Sequence, residues 1–403
     1  MRLHRNLCYA VIDGLNNIFN QDHYADKEVQ QLLKRDKRWG SRDRGFIAET
    51  VYEMVRYKRL YAEIADVKAP FDRDNLWRMF AVWAVLKGIK LPDWKYFVNT
   101  PSRKIKGRFD ELSKQRVYKE SIPDWMDHLG VSELGESIWS KEMTMQNKQA
   151  DVILRVNTLK TNKKELQATL QSENIDTEFL SEHPYALRLV ERANVFKTEA
   201  FKKGYFEVQD ASSQLVADYL DVKPGMKVVD ACAGAGGKTL HLASLMQNKG
   251  QLIAMDIYES KLKKLKLRAR RNGVHNVELK VIDSTKPIKK LHEKADRLLI
   301  DAPCSGLGVM RRNPDSKWKL QPEFVDNIKK TQEQILKDYS KMVKPGGKMV
   351  YATCSILPSE NKEQVDKFLT SEAGKPFIFV KDKSIFAHES GFDGFYMALL
   401  EKK

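Results

Sequence analysis

Two cysteines in the C-terminal half of the chain follow directly on apolar runs that are typical of buried strands. Cys304 lies in the motif Asp-Ala-Pro-Cys-Ser-Gly of residues 301–306, and Cys354 lies in Tyr-Ala-Thr-Cys-Ser of residues 351–355. Open α/β sheets place their chemistry at the carboxyl ends of strands, so both thiols are expected at one sheet edge. The alternative is that they only pack, because free cysteine is among the most buried residue types.

A glycine-rich connection spans residues 230–239, between a predicted strand and its helix. Its sequence, Asp-Ala-Cys-Ala-Gly-Ala-Gly-Gly-Lys-Thr, ends like a phosphate-binding loop, but that loop requires a glycine where Cys232 stands. The dinucleotide fingerprint fails too, because its last glycine would fall on Thr239. What remains is either a turn that lets a ligand approach the backbone closely, or a glycine-rich connection without a ligand.

Acidic residues end successive predicted strands beside this turn, namely Asp230, Asp256, Asp283 and Asp301. A carboxylate at the end of the second strand can accept hydrogen bonds from the two hydroxyls of a ribose. Each acid alone could be a cap or turn residue, but four in one series favour a ligand site. A nucleoside-containing cofactor without a pyrophosphate fits this pattern, and S-adenosylmethionine is the candidate.

The charge balance favours a polyanionic partner. The chain has 70 Lys+Arg against 54 Asp+Glu, a net charge of +16, which suits RNA; the alternative is a protein that simply carries many lysines. The four cysteines form no C-x-x-C pair, so neither a metal site nor a disulfide framework is expected, and reduced thiols indicate a cytoplasmic protein. No stretch approaches the ~20 apolar residues of a membrane span and no signal peptide is recognisable, so no membrane association is expected. The protein is expected to be a monomer.

If S-adenosylmethionine donates its methyl group to a pyrimidine in RNA, both thiols can take part in the reaction. Carbon 5 of cytosine is a poor nucleophile, and a thiolate that adds to carbon 6 converts it into an enamine-like one. A carboxyl such as Asp301, kept partly protonated, would supply a proton near nitrogen 3, and a base must later remove the carbon 5 proton. One cysteine would attack and the other would help release the product. The residues alone leave open whether Cys304 or Cys354 attacks, since a following helix N-terminus could lower the pKa of either thiol.

The first 120 residues have the apolar spacing of helices. Ile47, Val51, Met54 and Val55 recur on one helical face, and a second apolar segment covers residues 76–86. Basic clusters lie between and after these segments, and they are either solvated faces or RNA contacts. Among them we expect RNA contact chiefly from Trp39 and from the stretch 103–108, which its Pro, Ser and Gly neighbours predict to be a loop.

From Val152 onward the pattern changes to short strands and helices. Strands at 152–157, 186–190 and 204–208 with a helix at 161–171 predict a small α+β unit. Strand and helix then alternate, which indicates βαβ units and a parallel sheet. The predicted strands are 227–233, 251–257, 277–283, 295–301, one starting at 348, and closing strands at 376–380 and 394–400; the helices are 237–246, 259–272 and 322–343.

The motifs of this chain resemble those of the RsmB/Nop/Sun family of RNA cytosine-5 methyltransferases. The resemblance rests on residues 231–239, 301–306 and 351–355, and further on Arg155-Val156-Asn157, Val208-Gln209-Asp210, Ser213-Gln214, Glu360-Asn361 and Asp393-Gly394-Phe395. It implies an α/β fold with a Rossmann-like, seven-stranded S-adenosylmethionine-dependent methyltransferase domain at 209–403. A small α+β RNA-binding subdomain would precede it at 121–208, and an all-helical, NusB-like RNA-binding domain would occupy 1–120.

The resemblance also implies roles for individual residues. Cys354 would be the nucleophile that attacks carbon 6, Cys304 would assist release, and Lys238 and Asp301 would lie near the target base. Cofactor contacts would come from Cys232, Ala233, Gly234, Ala235, Gly236, Gly237, Lys238, Asp256, Asp283 and Asp301. Where the family commonly has proline this chain has Ala235, which implies a more flexible loop.

The implied activity is methylation of carbon 5 of a cytosine in RNA, with 16S ribosomal RNA favoured by the domain arrangement and transfer RNA left open. One alternative is an RNA-binding ribosome assembly factor with a dormant methyltransferase domain, against which the two retained thiols and Asp301 speak. An amino-group methyltransferase is a further alternative, but its Asp/Asn-Pro-Pro-aromatic signature is absent from residues 301–304.

Overall fold

The computed structural model describes residues 2–98 and 100–403. The α-helices are α1 (Arg5–Asn20), α2 (Ala25–Leu32), α3 (Ser41–Arg56), α4 (Lys58–Ala65), α5 (Arg73–Leu86), α6 (Ser102–Leu112), α7 (Arg116–Lys119), α8 (Asp124–Gln146), α9 (Lys163–Ser172), α10 (Glu199–Lys202), α11 (Ala211–Tyr219), α12 (Gly237–Leu245), α13 (Glu259–Asn272), α14 (Lys286–Lys289), α15 (Ser316–Lys319), α16 (Pro322–Tyr339), α17 (Lys362–Thr370) and α18 (Ala387–Ser390). The strands are β1 (Ile153–Val156), β2 (Thr177–Phe179), β3 (Ala186–Leu189), β4 (Phe206–Val208), β5 (Lys227–Asp230), β6 (Gln251–Asp256), β7 (Val277–Val281), β8 (Ala295–Asp301), β9 (Val343–Thr353), β10 (Phe377–Ile385) and β11 (Phe395–Lys402).

The chain forms two compact units. The first runs through Lys148 and also contains the later segment Met310–Pro322, while the second consists of Gln149–Val309 and Glu323–Lys403. This division differs from the predicted boundaries at 120 and 208, because helix α8 groups with the helices before it and the small sheet groups with the large one. The three functional domains named from the sequence stay a prediction.

The first unit is all-helical, as the apolar spacing predicts. Ile47, Val51, Met54 and Val55 of α3 are fully buried in one core with residues of α1, α2, α4 and α5. Helix α5 begins where the Asp72 carboxylate accepts a hydrogen bond of 2.7 Å from the backbone N–H of Asn75, a side-chain cap that satisfies one of the free donors of the first turn. The similarity of this unit to NusB stays a prediction.

Two predictions about the first unit are wrong. Residues 103–108 are part of helix α6, not a loop, because Ile105 supplies a buried anchor that holds one helix face against the core. Trp39 is buried in the same core with 9% of its surface exposed, so its ring is not available as a stacking platform for RNA.

A buried lysine holds the segment Met310–Pro322 in the first unit. Lys317 is 1% exposed, and its ammonium donates hydrogen bonds to Asn147 Oδ1 at 2.6 Å and to the carbonyl oxygens of Glu120 at 2.9 Å, Ser121 at 3.3 Å and Arg56 at 3.4 Å. A buried charge is tolerated only when hydrogen bonds replace the water it loses. These four oxygens do so in part, since burial still lowers the pKa of Lys317 to about 7.

We expect the Lys317→Met variant to lower the free energy of unfolding of the first unit by about 3 kcal/mol, because it leaves buried oxygens without a donor. All seven tryptophans lie in this unit, so urea unfolding followed by tryptophan fluorescence reports on it selectively. Lys319→Met is the matched control, since Lys319 pairs with the exposed Asp22 and should contribute much less. Equal effects of the two substitutions would contradict the assigned role.

The second unit contains two sheets. The small sheet has the order β2-β3-β1-β4 with antiparallel neighbours, and Leu166 and Leu170 of α9 pack on it. Strand β2 was missed in the sequence, because it has three residues and none of them is buried, which leaves no apolar alternation to detect. The other predicted elements of this small unit are present, with ends shifted by a few residues.

The large sheet has the order β10-β11-β9-β8-β5-β6-β7. Strands β9, β8, β5, β6 and β7 are parallel, and β11 and β10 close the sheet in antiparallel register. This is the predicted seven-stranded, Rossmann-like methyltransferase sheet. The chain reverses its direction of strand addition between β5 and β8, and at such a switch point the carboxyl ends of neighbouring strands open a crevice for a ligand. No helix in the described residues is long and apolar enough to cross a membrane.

Candidate active site

Cys304 and Cys354 meet at the carboxyl ends of β8 and β9. These strands are parallel neighbours in which Asp301 pairs with Ala352, so the loops that follow them start side by side. The two sulfur atoms are 3.3 Å apart, close enough for one thiol to donate a hydrogen bond to the other, and both side chains are partly exposed. Neither thiol is sealed in the core, as a cysteine that only packs would be.

The surroundings of the two sulfurs are unequal. The hydrogen bond to Cys354, together with burial, raises the pKa of the Cys304 thiol well above its usual value, so the proton of the pair stays on Cys304. A negative charge on the Cys354 sulfur would interact favourably with the nearby ammonium of Lys238. The assignment of attack to Cys354 stays a prediction.

The remaining cysteines are placed differently. Burial raises the pKa of Cys232 well above its usual value, and the carboxylates of Asp230, Asp301 and Asp256 raise it further, so this thiol stays protonated. Burial also raises the pKa of Cys8 to about 12. Neither thiol is available as a nucleophile at neutral pH.

A buried carboxylate ties the two cysteine loops together. Glu360 is fully buried, and its Oε1 accepts hydrogen bonds of 2.5 Å from the hydroxyls of both Ser305 and Ser355. Its Oε2 accepts from the backbone N–H of Ser305 at 2.8 Å and from Nε2 of Gln332 at 3.0 Å. Because Ser305 follows Cys304 and Ser355 follows Cys354, one side chain fixes the spacing of both thiols.

Close backbone contact adds to this positioning. The N–H of Gly308 donates to the carbonyl of Cys354 at 3.0 Å, and the N–H of Gly394 donates to the carbonyl of Gly308 at 2.8 Å. A Cβ at position 308 would lie 2.3 Å from the Gly394 oxygen and 2.8 Å from the Cys354 oxygen. Only glycine therefore allows this approach.

Lys238 and Asp301 form an ion pair beside the thiols. Lys238 Nζ lies 2.7 Å from Asp301 Oδ2 and 5.1 Å from the centre of the Phe395 ring. Burial alone would lower the pKa of Lys238, but the Asp301 carboxylate outweighs it, and the net shift is upward. The expectation that Asp301 supplies a proton near nitrogen 3 stays a prediction.

The glycine turn lies at the carboxyl end of β5. Gly234 and Gly236 have φ values of +55° and +90°, and a Cβ on Gly236 would stand 2.5 Å from Leu265 Cγ. A Cβ on Gly234 would meet nothing within 4 Å, so open space lies over the turn. Ala233, Ala235 and Gly237 complete the loop that leads into α12.

The acidic series surrounds this turn. Asp256 ends β6, and its two oxygens accept from the N–H groups of Gly234 at 2.9 Å and Tyr258 at 2.8 Å, which leaves a lone pair on each for a ligand. Burial raises the pKa of Asp230 to about 7; its Oδ2 accepts from Thr239, while its buried Oδ1 has no partner in the described residues. Asp283 is exposed, two residues beyond the end of β7.

Residues outside the turn hold it in place. Arg268 donates to the carbonyl of Ala235 at 2.8 Å and pairs with the buried carboxylate of Glu207 at 2.9 Å. Arg155, buried on β1, donates to the carbonyl of Gly237 at 2.5 Å and to Gln209. The loop without the family's proline is thus braced by two arginines, one from the small sheet and one from α13.

Sequence reasoning missed four of these supporting side chains as site residues: Glu360, Gln332, Arg268 and Glu207. Glu360 stands in a recognised motif but has no chemical signature of its own, and the other three lie in helix or strand patterns that read as ordinary surface. No group of three or more His, Cys, Asp or Glu side chains in the described residues is arranged to hold a metal ion.

Comparison with known proteins gives a consistent result. A profile of the family described as 16S rRNA methyltransferase RsmB/F matches residues 217–401, and one described as the RsmF/B-like ferredoxin-like domain matches residues 122–196. The chain is similar to ribosomal RNA small subunit methyltransferase B of Vibrio vulnificus, with 36% identity over 99% of this chain and 98% of that protein. It is also similar to the Serratia proteamaculans protein of the same name, with 32% identity over 78% of this chain and 75% of that one.

Among solved structures, that of the protein PH0851 matches with a TM-score of 0.84 and 26% identity, covering 100% of both chains. The similarity extends over both compact units and is not confined to the large sheet.

Proposed function

The chain belongs to the RsmB/F family of 16S rRNA methyltransferases, and on that premise we propose that it methylates carbon 5 of a cytosine in 16S rRNA through a covalent bond to Cys354. The membership itself makes it an S-adenosylmethionine-dependent rRNA methyltransferase. The observation that carries the finer proposal is the pair of thiols 3.3 Å apart, next to the Lys238–Asp301 ion pair.

The residues around the glycine turn fit S-adenosylmethionine. The open space over Gly234 admits a ligand against the backbone, and the free lone pairs of Asp256 suit two ribose hydroxyls. S-adenosylmethionine bound there would supply an electrophilic methyl group, and residues 232–238, Asp256, Asp283 and Asp301 would hold it.

Cys354 is the nucleophile in this proposal. Its thiolate adds to carbon 6 of the cytosine, which moves electron density to carbon 5 and makes that carbon nucleophilic. Charge builds up on the ring during this addition, and a donor near nitrogen 3 stabilises it. The protonated Lys238, held by Asp301, is placed to provide that donor together with its carboxylate partner.

Cys304 acts at the end of the reaction. After methylation, carbon 5 must lose its proton before the bond between Cys354 and carbon 6 can break. The sulfur of Cys304 lies 3.3 Å from the Cys354 sulfur. In the covalent adduct Cys354 is an uncharged thioether, so Cys304 can ionise and take the carbon 5 proton; the electrons of that C–H bond re-form the double bond, and Cys354 leaves as a thiolate. We therefore assign release to Cys304 and attack to Cys354.

Bisulfite sequencing of total RNA tests the function. In a strain that lacks this chain we expect one or more cytosines of 16S rRNA to lose their protection from conversion, and restored protection when the wild-type gene is returned. A strain complemented with the Cys354→Ala variant is the matched control and should remain unprotected. Loss of protection in a transfer RNA, with 16S rRNA unchanged, would replace the substrate in this proposal, and unchanged RNA throughout would overturn the activity.

A further inference from the structure

A cavity of about 310 Å³ opens in the second unit between the small sheet and the hairpin β10–β11. Its walls include His183 from the β2–β3 connection, Ser212 from the first turn of α11, and Lys383, Phe386 and Phe392 from the region around β10 and α18. We call these five residues and the space they enclose the flanking pocket. The proposed cytosine chemistry uses none of them.

The flanking pocket contains polar atoms that lack partners. Ser212 is only 1% exposed, yet its hydroxyl has no hydrogen-bond partner in the described residues, and the same holds for the buried Nδ1 of His183. Buried polar atoms are nearly always paired in folded proteins, so a ligand in the cavity that draws either side chain toward it by a small rotation would satisfy an atom that is now unpaired. Burial lowers the pKa of His183, so at neutral pH its ring presents one donor and one acceptor.

The pocket lies close to the catalytic cysteine. Ile385, which also lines it, pairs with Phe395 of β11, and the next residue, Tyr396, pairs with Thr353, immediately before Cys354. Two strand spacings therefore separate the pocket wall from the nucleophile's strand, about 10 Å. A nucleotide adjacent to one held at Cys354 can reach that far.

The chemistry of the walls favours a base over a phosphate. The His183 ring packs edge-on against Phe392 with centroids 5.1 Å apart, and Phe386 is partly exposed, so planar apolar surface is available for stacking. The exposed charged side chains at the rim are one lysine, Lys383, and two glutamates, Glu182 and Glu389. The excess of negative charge repels a phosphate, and the carboxylates can accept hydrogen bonds from the amino groups of a base. Unpaired RNA bases are recognised by stacking together with hydrogen bonds to their edges, and the pocket supplies both.

We infer that the flanking pocket binds the base of a nucleotide next to the target cytosine in the same RNA strand. This inference rests on the proposed function, since it requires a cytosine at Cys354. It assigns to His183 and Ser212 the recognition of base edges and to Phe392 and Phe386 the stacking. The enzyme thereby reads the sequence beside its target, in addition to the target itself.

The test combines substitutions in the protein with substitutions in an rRNA fragment that contains the cytosine mapped by bisulfite sequencing. Each nucleotide beside that cytosine is replaced in turn by an abasic one, and kcat/KM is measured for the wild type, His183→Ala and His292→Ala. His292 is an exposed histidine of the same unit, away from the pocket, and serves as the matched control. Melting temperatures of all variants confirm that they are folded.

We expect one abasic position to lower kcat/KM of the wild type by about tenfold, the order that loss of one stacked base implies. His183→Ala should show a similar loss on the complete RNA and no further loss on that abasic RNA, whereas His292→Ala should behave as the wild type. If the pocket binds a base, Ser212→Ala should also lower kcat/KM on the complete RNA and cause no further loss on that abasic RNA. This second variant decides the test if His183→Ala does not fold.

The outcomes separate the two proposals. If the wild type methylates no cytosine in the complete fragment, the proposed function fails before the pocket is examined. If the wild type is active on the complete fragment but His183→Ala and Ser212→Ala cause no loss of kcat/KM, the inference about the flanking pocket is overturned while the function stands. The same conclusion follows if the losses from these two variants add to the loss from every abasic position.

Discussion

The Cys354→Ala variant is expected to transfer no methyl group to RNA, with kcat lowered by at least about 10⁴-fold, because removal of a covalent nucleophile is among the largest single losses an enzyme can suffer. The cytosine ring would then have to react from carbon 5 without activation at carbon 6. The measurement is transfer of labelled methyl from S-adenosylmethionine to 16S rRNA. Binding of the cofactor should be unchanged, since Cys354 lies outside the glycine turn.

Cys304→Ala is the matched variant and should behave differently. If Cys304 serves release, this protein still attacks the base and then accumulates as a covalent complex with RNA that survives denaturing gel electrophoresis. The double variant with Cys354→Ala should form no such complex. An adduct formed by Cys354→Ala, and none by Cys304→Ala, would reverse the two roles.

The different surroundings of the two thiols are the reason why we expect the covalent complex from Cys304→Ala and not from Cys354→Ala. The two sulfurs are 3.3 Å apart, so they share hydrogen bonding, and the surroundings keep the proton on Cys304. A negative charge on Cys354 would interact favourably with the ammonium of Lys238. A thiol that is held protonated is a poor nucleophile but a suitable proton carrier, which matches the separate tasks of attack and release.

The sequence allowed the seven-stranded sheet and its catalytic edge to be predicted because those signals are local. Apolar runs end at Asp230, Asp256 and Asp301, and the glycine turn and the two cysteine motifs follow such runs directly, so residue order alone places them at strand ends. The same reasoning failed for residues 103–108, where Pro, Ser and Gly suggested a loop. Ile105 is buried there, and Phe109 and Leu112 of the same helix pack against the same core, which is a tertiary property.

The supporting side chains could not be predicted for a related reason. Gln332 lies 28 residues before Glu360 in the chain, and only the packing of α16 against the loop after β9 brings the two within 3.0 Å. The segment Met310–Pro322 follows the Cys304 loop directly yet folds with the helical unit, through contacts of Lys317 to residues almost 200 positions earlier. No periodic pattern in the sequence records such pairings.

Glu360→Gln is expected to lower kcat by about 100-fold, because a displacement of about 1 Å at reacting groups has effects of that size. The amide keeps the volume of the carboxylate, but its NH₂ group would face donors: the Ser305 N–H and Gln332 Nε2 now donate to Oε2, and both serine hydroxyls donate to Oε1. With the NH₂ group toward Ser305 N–H and Gln332, two of these bonds are lost; with it toward the serines, both hydroxyls must turn from donors into acceptors. In either orientation the negative charge that strengthens these bonds is gone, so the two cysteine loops are held less firmly relative to each other. Affinity for S-adenosylmethionine should be unchanged.

The control for this prediction is Glu207→Gln, which removes charge from another buried glutamate in the same unit. Glu207 holds Arg268, which holds the carbonyl of Ala235, so this substitution should weaken cofactor binding and leave the spacing of the thiols intact. Isothermal titration with S-adenosylmethionine and single-turnover methylation separate the two effects. A loss of cofactor affinity in Glu360→Gln, or equal losses of both quantities in the two variants, would show that Glu360 stabilises the unit in general and does not position the thiols. If instead the two variants divide as expected, the spacing of the sulfurs depends on a residue that never touches the substrate, because Glu360 holds the loops that carry Cys304 and Cys354.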